Sequence, residues 1–228
     1  LDTLGDTRIT VWDPHAGALQ SVLGLHAMSA LSQGLTLVDW LMVAAGFYRP
    51  WERLPGAIDR ALEEGVGDVE ETMATSGDLR DALIRGFARL EAVPLHPRDD
   101  RPIIGITGDL YSRVNPAGNG LLVYKLEAMG CVTWLSPFFG ATPDFEWPQV
   151  AERSAARGEL GKSLVTYGGA LLMLGVQRHL ATALPDWIAD RCREPPYAVL
   201  QNAARRHVAE HTNHLVRGIV AKMVDFAS

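Results

Sequence analysis

Apolar residues recur every three to four positions through the first part of the chain, which is the spacing of amphipathic helices. The longest such segment is broken near Gly34, where Thr36 predicts the N-cap of a second helix that ends before Pro50. A short β-branched run at residues 7–12 predicts a strand ahead of these helices. We therefore expect residues 1–95 to form an N-terminal strand and a helical region. The predicted helices are 16–48, 55–64, 68–75 and 78–92, with Gly65 and Gly67 separating the middle two.

The pattern changes after a linker at residues 93–100 that contains two prolines. Residues 102–107 form a continuous apolar run, as in a buried parallel strand. The helical segment 119–129 ends at Gly130, and residues 132–135 are the next predicted strand. We therefore expect a βαβ unit with a right-handed crossover. Further helices are predicted at 149–160, 163–184, 197–211 and 215–226.

This order of elements predicts the fold class α/β, with a Rossmann-like parallel sheet and flanking helices over residues 101–228 and a mostly helical N-terminal part. The chain begins at Leu1 rather than at Met, and it ends just after a helical pattern. We therefore expect the second domain to be incomplete and the chain to be a fragment of a longer protein.

Charge and composition narrow the range of partners. The net charge is −6 and the arginines are spread among acidic residues, which argues against a nucleic-acid-binding protein. The most apolar run, 37–47, contains Asp39 and is shorter than the roughly 20 residues that cross a bilayer. Cys131 and Cys192 form no CxxC pair, as is typical of a reducing compartment. We expect a cytoplasmic protein with neither nucleic acid nor membrane as a partner.

The loop between the first strand of the βαβ unit and its helix is the strongest candidate for a site. Loops at the carboxyl ends of parallel strands bind ligands in α/β proteins, and the N-terminus of a helix offers free N–H groups to an anion. The loop has no GxGxxG motif, and the alternative is that it only connects two elements. The candidate ligand-binding residues are Gly108, Asp109, Tyr111, Arg113, Asn115 and Asn119.

His207, Glu210 and His211 match an H-x-x-E-H pattern that holds zinc in some metalloproteases. The two histidines share a face only on a continuous helix, and a catalytic zinc site needs a third protein ligand. The alternative is a polar helix end, where histidine suits the helix dipole. A zinc hydrolase at His207 and His211 is therefore the weaker hypothesis. Residues 156–163 are similar to a phosphate-binding loop, but they lack its first glycine and follow a helical pattern.

Residues 101–137 read RPIIGITGDLYSRVNPAGNGLLVYKLEAMGCVTWLSP. This string resembles a region of 2-hydroxyacyl-CoA dehydratase-related proteins and CoA-substrate-specific enzyme activases. In that family a strand and loop, P-x-V-G-I-x-G-E-I-Y-x-R-x-N-P-x-x-N, precede a helix and L-E-x-x-G. Asp109 stands where the family usually has Glu, and segments 193–196 and 222–227 also look similar to it. The matching residues are Gly105, Gly108, Tyr111, Arg113, Asn115, Pro116, Asn119, Leu126, Glu127 and Gly130.

The resemblance implies a protein of anaerobic metabolism in which cysteines hold an iron–sulfur cluster and an ATP-driven activator supplies a low-potential electron. This chain has no cluster-type cysteine motif and no ATPase phosphate motif. We therefore expect no cofactor here, an iron–sulfur cluster in the parent protein, and cluster-bearing or ATPase domains of the same system as partners. The first hypothesis is a structural or docking part that is not catalytic alone. The alternative is a module that binds an anionic small molecule, an acyl-CoA or a nucleotide, at the 108–119 loop.

Overall fold

The N-terminal helices pack into a layered helical core. In the computed structural model, which describes residues 16–137, 147–193, 195, 197–209 and 214–227, the first helix, α1, runs without a break past Gly34. The predicted strand at 7–12 lies outside the described residues. The helices of this part are α1 (Ala16–Tyr48), α2 (Ala57–Ala74) and α3 (Leu79–Glu91), with a 3-10 turn at Arg49–Trp51.

Two glycines that the sequence pattern treats as helix breaks lie instead at tight contacts between helices. A side chain at Gly34 would collide with Met73 of α2, and a Cβ at Gly65 would lie 3.2 Å from the Cα of Gly86 in α3. Thr36 is fully buried within α1, where its hydroxyl donates to the Ser32 carbonyl at 2.8 Å. The predicted break in α1 and the predicted gap in α2 are therefore wrong, because these glycines let neighbouring helices approach closely.

The predicted βαβ unit is present. Strands β1 (Ile103–Ile106) and β2 (Val132–Leu135) pair in parallel, with Ile103 opposite Val132. Two short helices, α4 (Leu110–Val114) and α5 (Leu122–Ala128), lie between the strands in the sequence. The sheet lies between two helical layers, since β2 contacts α1 at Gly46 and β1 contacts the C-terminal helix at Gly105, where a side chain would collide with Phe226.

The rest of the described chain is helical. Beyond β2, no further strand occurs in residues 147–193, 195, 197–209 and 214–227. The prediction of a Rossmann-like α/β domain is therefore wrong: the structure is mostly helical, with one two-stranded parallel sheet in the described part. The physical reason is that these segments carry helical periodicity without β-branched runs. The helices are α6 (Trp147–Ala156), α7 (Leu160–Ala181), α8 (Asp186–Cys192), α9 (Tyr197–Arg205) and α10 (His214–Phe226).

The C-terminal half of α1 forms the centre of the core. Leu37, Leu41 and Ala44 have no exposed surface, and they pack with Leu83 of α3 and Ile188 of α8. By length and hydropathy alone, the stretch Ser29–Trp51 could cross a membrane, but 61% of its most apolar window is buried inside the protein. The same two properties are found in the core helix of a soluble protein.

Candidate functional site

A cavity of about 110 Å³ lies where the C-terminal end of α1, the loop after β1 and the strand β2 meet. Its walls are largely apolar, with a few polar groups at one side. The apolar lining residues are Met42, Leu62, Val114, Pro116, Val123 and Leu135. The polar or aromatic lining residues are Arg49, Asp59, Arg113, Asn119, Tyr124 and Thr133.

Three polar residues of the predicted loop site hold the loop in shape. Asp109 caps α4, because its Oδ1 accepts a hydrogen bond from the Ser112 backbone at 3.1 Å. A hydrogen bond from the Ser112 side chain, followed by this backbone hydrogen bond, lowers the pKa of the Asp109 carboxyl. Asn115 Oδ1 accepts from the backbone of Ala117 at 2.9 Å and Gly118 at 3.1 Å, which closes the turn after α4. These two side chains are therefore engaged in local structure.

Asn119 joins two parts of the loop. Its Oδ1 accepts from the Leu122 backbone at 3.1 Å, where α5 begins, and its Nδ2 donates to the Arg113 carbonyl at 3.1 Å. Asn119 also lines the cavity. The side chain thus fixes the backbone of Arg113 relative to α5, which holds the cavity wall in place.

Arg113 is the predicted residue that the structure places most clearly at the site. It lines the cavity and is 5% exposed, which is unusual for an arginine. Tyr111 is 64% exposed and its ring lies against Gly118 instead. Gly108 has a φ of 154°, which residues with a side chain rarely adopt. The structure therefore brings Arg113 and Asn119 of the predicted set to the cavity and leaves the others outside its lining.

A buried ion-pair network that the residue patterns did not reveal forms one side of the cavity. Arg49 Nη1 lies 2.8 Å from Glu127 Oε1 and 3.0 Å from Oε2, while its Nε donates to Asp59 Oδ1 at 2.9 Å. The Thr133 hydroxyl donates to Glu127 Oε1 at 2.5 Å. The guanidinium also lies 5.4 Å from the centre of the Tyr124 ring. This network ties the end of α1 to α2, α5 and β2.

Burial and pairing act in opposite directions on these charges. Burial lowers the pKa of Arg49, but the carboxylates of Glu127 and Asp59 outweigh it and leave that pKa above its ordinary value. Burial raises the pKa of Glu127, and this effect exceeds the opposing effects of Arg49 and the Thr133 hydroxyl. We take Glu127 to be a carboxylate at neutral pH, because two guanidinium contacts and a hydroxyl donor all face its oxygens.

The zinc hypothesis loses its helical basis in the structure. Helix α9 ends at Arg205, and His207 lies in the exposed turn that follows it. Glu210 and His211 lie outside the described residues. Among the residues that the structure describes, no group of three or more His, Cys, Asp or Glu side chains has the arrangement of a metal site.

The two cysteines lie apart from the cavity. Cys192 is buried in the core, and burial raises the pKa of its thiol in spite of the neighbouring arginines. Cys131 is half-buried just before β2. A reactive thiolate needs a lowered pKa and some exposure, so Cys192 is suited to packing rather than to chemistry.

Comparisons of the whole chain with protein-family models, with curated proteins and with solved structures found no significant match. The resemblance of residues 101–137 to 2-hydroxyacyl-CoA dehydratase-related proteins therefore stays a prediction from the sequence.

Proposed function

We propose that this chain is a ligand-binding module that holds the anionic end of a small acid in the cavity beside Arg113, within a protein of the 2-hydroxyacyl-CoA dehydratase/activase type. The observation that carries the proposal is a buried arginine lining a cavity next to the loop at the carboxyl end of β1. Guanidinium groups bind carboxylates and phosphates through paired, charge-assisted hydrogen bonds.

The charges around the cavity favour a monovalent anion. Arg49 and Arg113 supply two positive charges, while Asp59 and Glu127 supply two negative ones, so the four groups sum to zero at neutral pH. Both carboxylates are bonded to Arg49, and the guanidinium of Arg113 lies in the same lining. A carboxylate adds less negative charge to this neutral lining than a polyphosphate does.

The volume of the cavity limits how much of a ligand it can enclose. Pockets for drug-sized ligands measure about 300–1,000 Å³, several times the cavity found here. A nucleotide or an acyl-CoA would therefore leave most of its atoms outside. The apolar walls at Met42, Leu62 and Val123 suit a short hydrocarbon chain. A short-chain carboxylate, free or as the end of a larger molecule, fits both the charge and the walls.

Calorimetric titration of the chain with butyrate, inorganic phosphate and butyryl-CoA tests this proposal. We expect butyrate to bind, and Arg113→Gln to weaken its binding by roughly tenfold or more, since a hydrogen bond to a charged group contributes about 1.5–3 kcal/mol. Arg178→Gln, at an exposed position of α7 away from the cavity, is the matched control and should bind as the wild type does.

A second variant keeps the test decisive if Arg113→Gln does not fold. Val123→Phe narrows the cavity while every charge stays in place, so it should block butyrate without changing the net charge. Absence of heat from all three ligands with the folded wild type would contradict the proposal. Equal binding by the wild type and by folded Val123→Phe would place the ligand elsewhere.

The docking role predicted from the sequence is a second candidate, and the sheet favours it. Sheets usually contain about four to six strands, whereas this sheet has two in the described chain. In β1, Ile103 is 47% exposed. A neighbouring domain of the parent protein would complete the sheet by adding a strand beside β1.

Hydrogen exchange tests this second function. We expect the amides of β1 to exchange rapidly in the chain alone and to become protected when the rest of the parent protein is present. Unchanged exchange in the longer protein would rule out strand addition at this edge. Anaerobic iron–sulfur reconstitution of the chain should also leave it colourless, and a stoichiometric cluster on it would contradict a purely docking role.

A further inference from the structure

Helix α7 carries an apolar face that points away from the protein. Met173, Gln177 and Leu180 form its buried side, toward the rest of the chain. On the opposite side, Leu164 is 73% exposed, and Leu172 is 69% exposed. The exposed positions of this face, which we call the α7 face, are Gly161, Leu164, Val165, Gly168, Leu171, Leu172 and Gly175.

The three glycines of the α7 face are spaced seven residues apart, which is about two helical turns. A Cβ added at Gly161, Gly168 or Gly175 would meet nothing within 4 Å. By contrast, a Cβ at Gly169 would contact the Trp147 ring at 3.4 Å, so packing within the chain explains that glycine. Glycine is a poor helix former, so three glycines on one face of a helix need an explanation, and contacts within the chain do not supply one. Close approach of a second helix supplies one.

We propose that the α7 face binds the α7 face of a second copy of this chain, with the two helices antiparallel and related by a twofold axis at Gly168. The order of small and large residues reads the same in both directions from that glycine. Three positions away on either side lie Val165 and Leu171, and four positions away lie Leu164 and Leu172. Seven positions away lie the other two glycines.

A twofold interface needs this kind of self-complementarity, because both copies use the same surface. Each contact between two residues therefore occurs twice, with the two copies exchanged. In the proposed pairing, Leu172 of one copy lies beside Leu164 of the second. The glycines meet glycines, which lets the two backbones approach closely at the crossing. No charged residue lies between Lys162 and Arg178, so no like charges meet at the axis.

The α7 face and the apolar residues beside it together reach the lower limit of area for a specific dimer interface. Its large side chains and the neighbouring Leu160 and Tyr167 are each at least half exposed. Together they present on the order of 600 Å² of apolar surface, so two copies would bury about 1,200 Å², the lower limit for specific interfaces. A patch of this size on a monomer usually marks an interaction site.

Sedimentation velocity over a range of protein concentrations tests the proposal. We expect the wild-type chain to form dimers, and Gly168→Leu to weaken the association by roughly tenfold or more, because a large side chain at the crossing separates the helices. The matched control is Gly67→Leu, at an exposed glycine of α2 where an added Cβ also meets nothing within 4 Å. Both variants replace glycine in a helix by a better helix former, so both should fold.

Disulfide trapping gives a second readout of the axis. Gly168→Cys should cross-link to its own copy under mild oxidation, since the twofold axis places the two Cβ atoms near the roughly 4 Å that a disulfide needs. Gly67→Cys should not cross-link above the level of the native cysteines.

A wild-type chain that stays monomeric at every concentration overturns the proposal. A dimer that neither Gly168→Leu weakens nor Gly168→Cys traps also overturns it. Binding of a monomeric chain to phosphatidylcholine vesicles would assign the α7 face to a membrane instead.

Discussion

The helices α1 and α7 are the two longest in the described chain, and both are rich in apolar residues, but their surroundings differ. In α1, Trp40, Leu41 and Val43 are at most 2% exposed, because α2, α3, α8 and β2 surround the C-terminal half of the helix. In α7, Leu164 and Leu172 are more than two-thirds exposed, because α6 and α1 cover only one side. The apolar content of a helix thus does not decide how much of it is buried, whereas the number of neighbouring elements does.

The largest expected difference between the two helices concerns removal of a leucine side chain. Leu41→Ala should lower the free energy of unfolding by about 3–5 kcal/mol, since Leu41 is fully buried against Gly65 and Gly86 and leaves a cavity. Leu172→Ala should change it by less than about 0.5 kcal/mol at protein concentrations where the chain is monomeric. Urea denaturation of both variants measures this contrast. Equal effects would mean that the two helices are buried alike in solution.

The next contrast concerns the charges at the two helices. Glu127→Ala removes the main partner of buried Arg49 at the end of α1 and should cost about 3 kcal/mol, with Asp59 still present to limit the loss. Glu159→Ala, at the start of α7, breaks an exposed pair with Lys162 and should cost less than about 0.5 kcal/mol. The same denaturation experiment applies to both. A loss below 1 kcal/mol for Glu127→Ala would show that water reaches Arg49.

Replacing a glycine by alanine should change the free energy of unfolding in opposite directions in the two helices. In α1, a Cβ at Gly46 would collide with the Thr133 carbonyl oxygen, so Gly46→Ala should destabilise the chain by about 1–3 kcal/mol. In α7, Gly168→Ala adds a side chain in open space and should stabilise the monomer by roughly 0.4–1 kcal/mol. Thermal unfolding of the two variants at low concentration gives both signs. A stabilising Gly46→Ala would show that β2 can move away from α1.

The last effect depends on pH and concerns Tyr48, the last residue of α1. Burial against Trp187 and the nearby Glu91 raise the pKa of Tyr48 to about 12. Between the ordinary pKa of 10.0 and this value, the unfolded chain has lost the phenol proton while the folded chain keeps it. Stability from this group is therefore complete below pH 10 and is lost as the pH rises toward 12.

The expected loss is at most about 1.4 kcal/mol per pH unit across that window. Tyr48→Phe cannot titrate, so the difference in unfolding free energy between wild type and variant should shrink as the pH rises from 10 to 12. Guanidinium denaturation at several alkaline pH values measures it. A pH-independent difference would mean that the phenol is solvated.

The elements were predictable where local pattern decides the structure, and less so where distant packing does. Helical periodicity predicts α3, and the continuous apolar run at 102–107 predicts β1. Gly130, with a φ of 88°, ends the helical segment before β2 as expected. The predictions at Gly34 and Gly65 were wrong, because the sequence alone does not distinguish a glycine at a close contact between helices from a glycine at a helix end. The Rossmann-like sheet was inferred by extending one βαβ unit, and the described segments after β2 are helices.

The site was predictable in part for the same reason. Arg113 and Asn119 follow a predicted strand, and position in an α/β unit points to such residues. Arg49 pairs with Glu127 across 78 residues of sequence, and no spacing rule connects them. Glu127 matched the resembling family as part of L-E-x-x-G, but that match does not reveal its partner. The apolar walls come from five different elements and a loop, and they emerge only from the fold.

The contact between Gly46 and Thr133 has a consequence for the order of events in folding. Helices α2 and α3 are neighbours in sequence and contact each other extensively, so they can pair early. The α1–β2 contact joins residues far apart in the chain and must wait for closure of a long loop. We therefore expect Gly46→Ala to accelerate unfolding and to leave the refolding rate nearly unchanged, as stopped-flow measurements would show. The cavity, which lies beside this contact, would then be among the last parts of the protein to form.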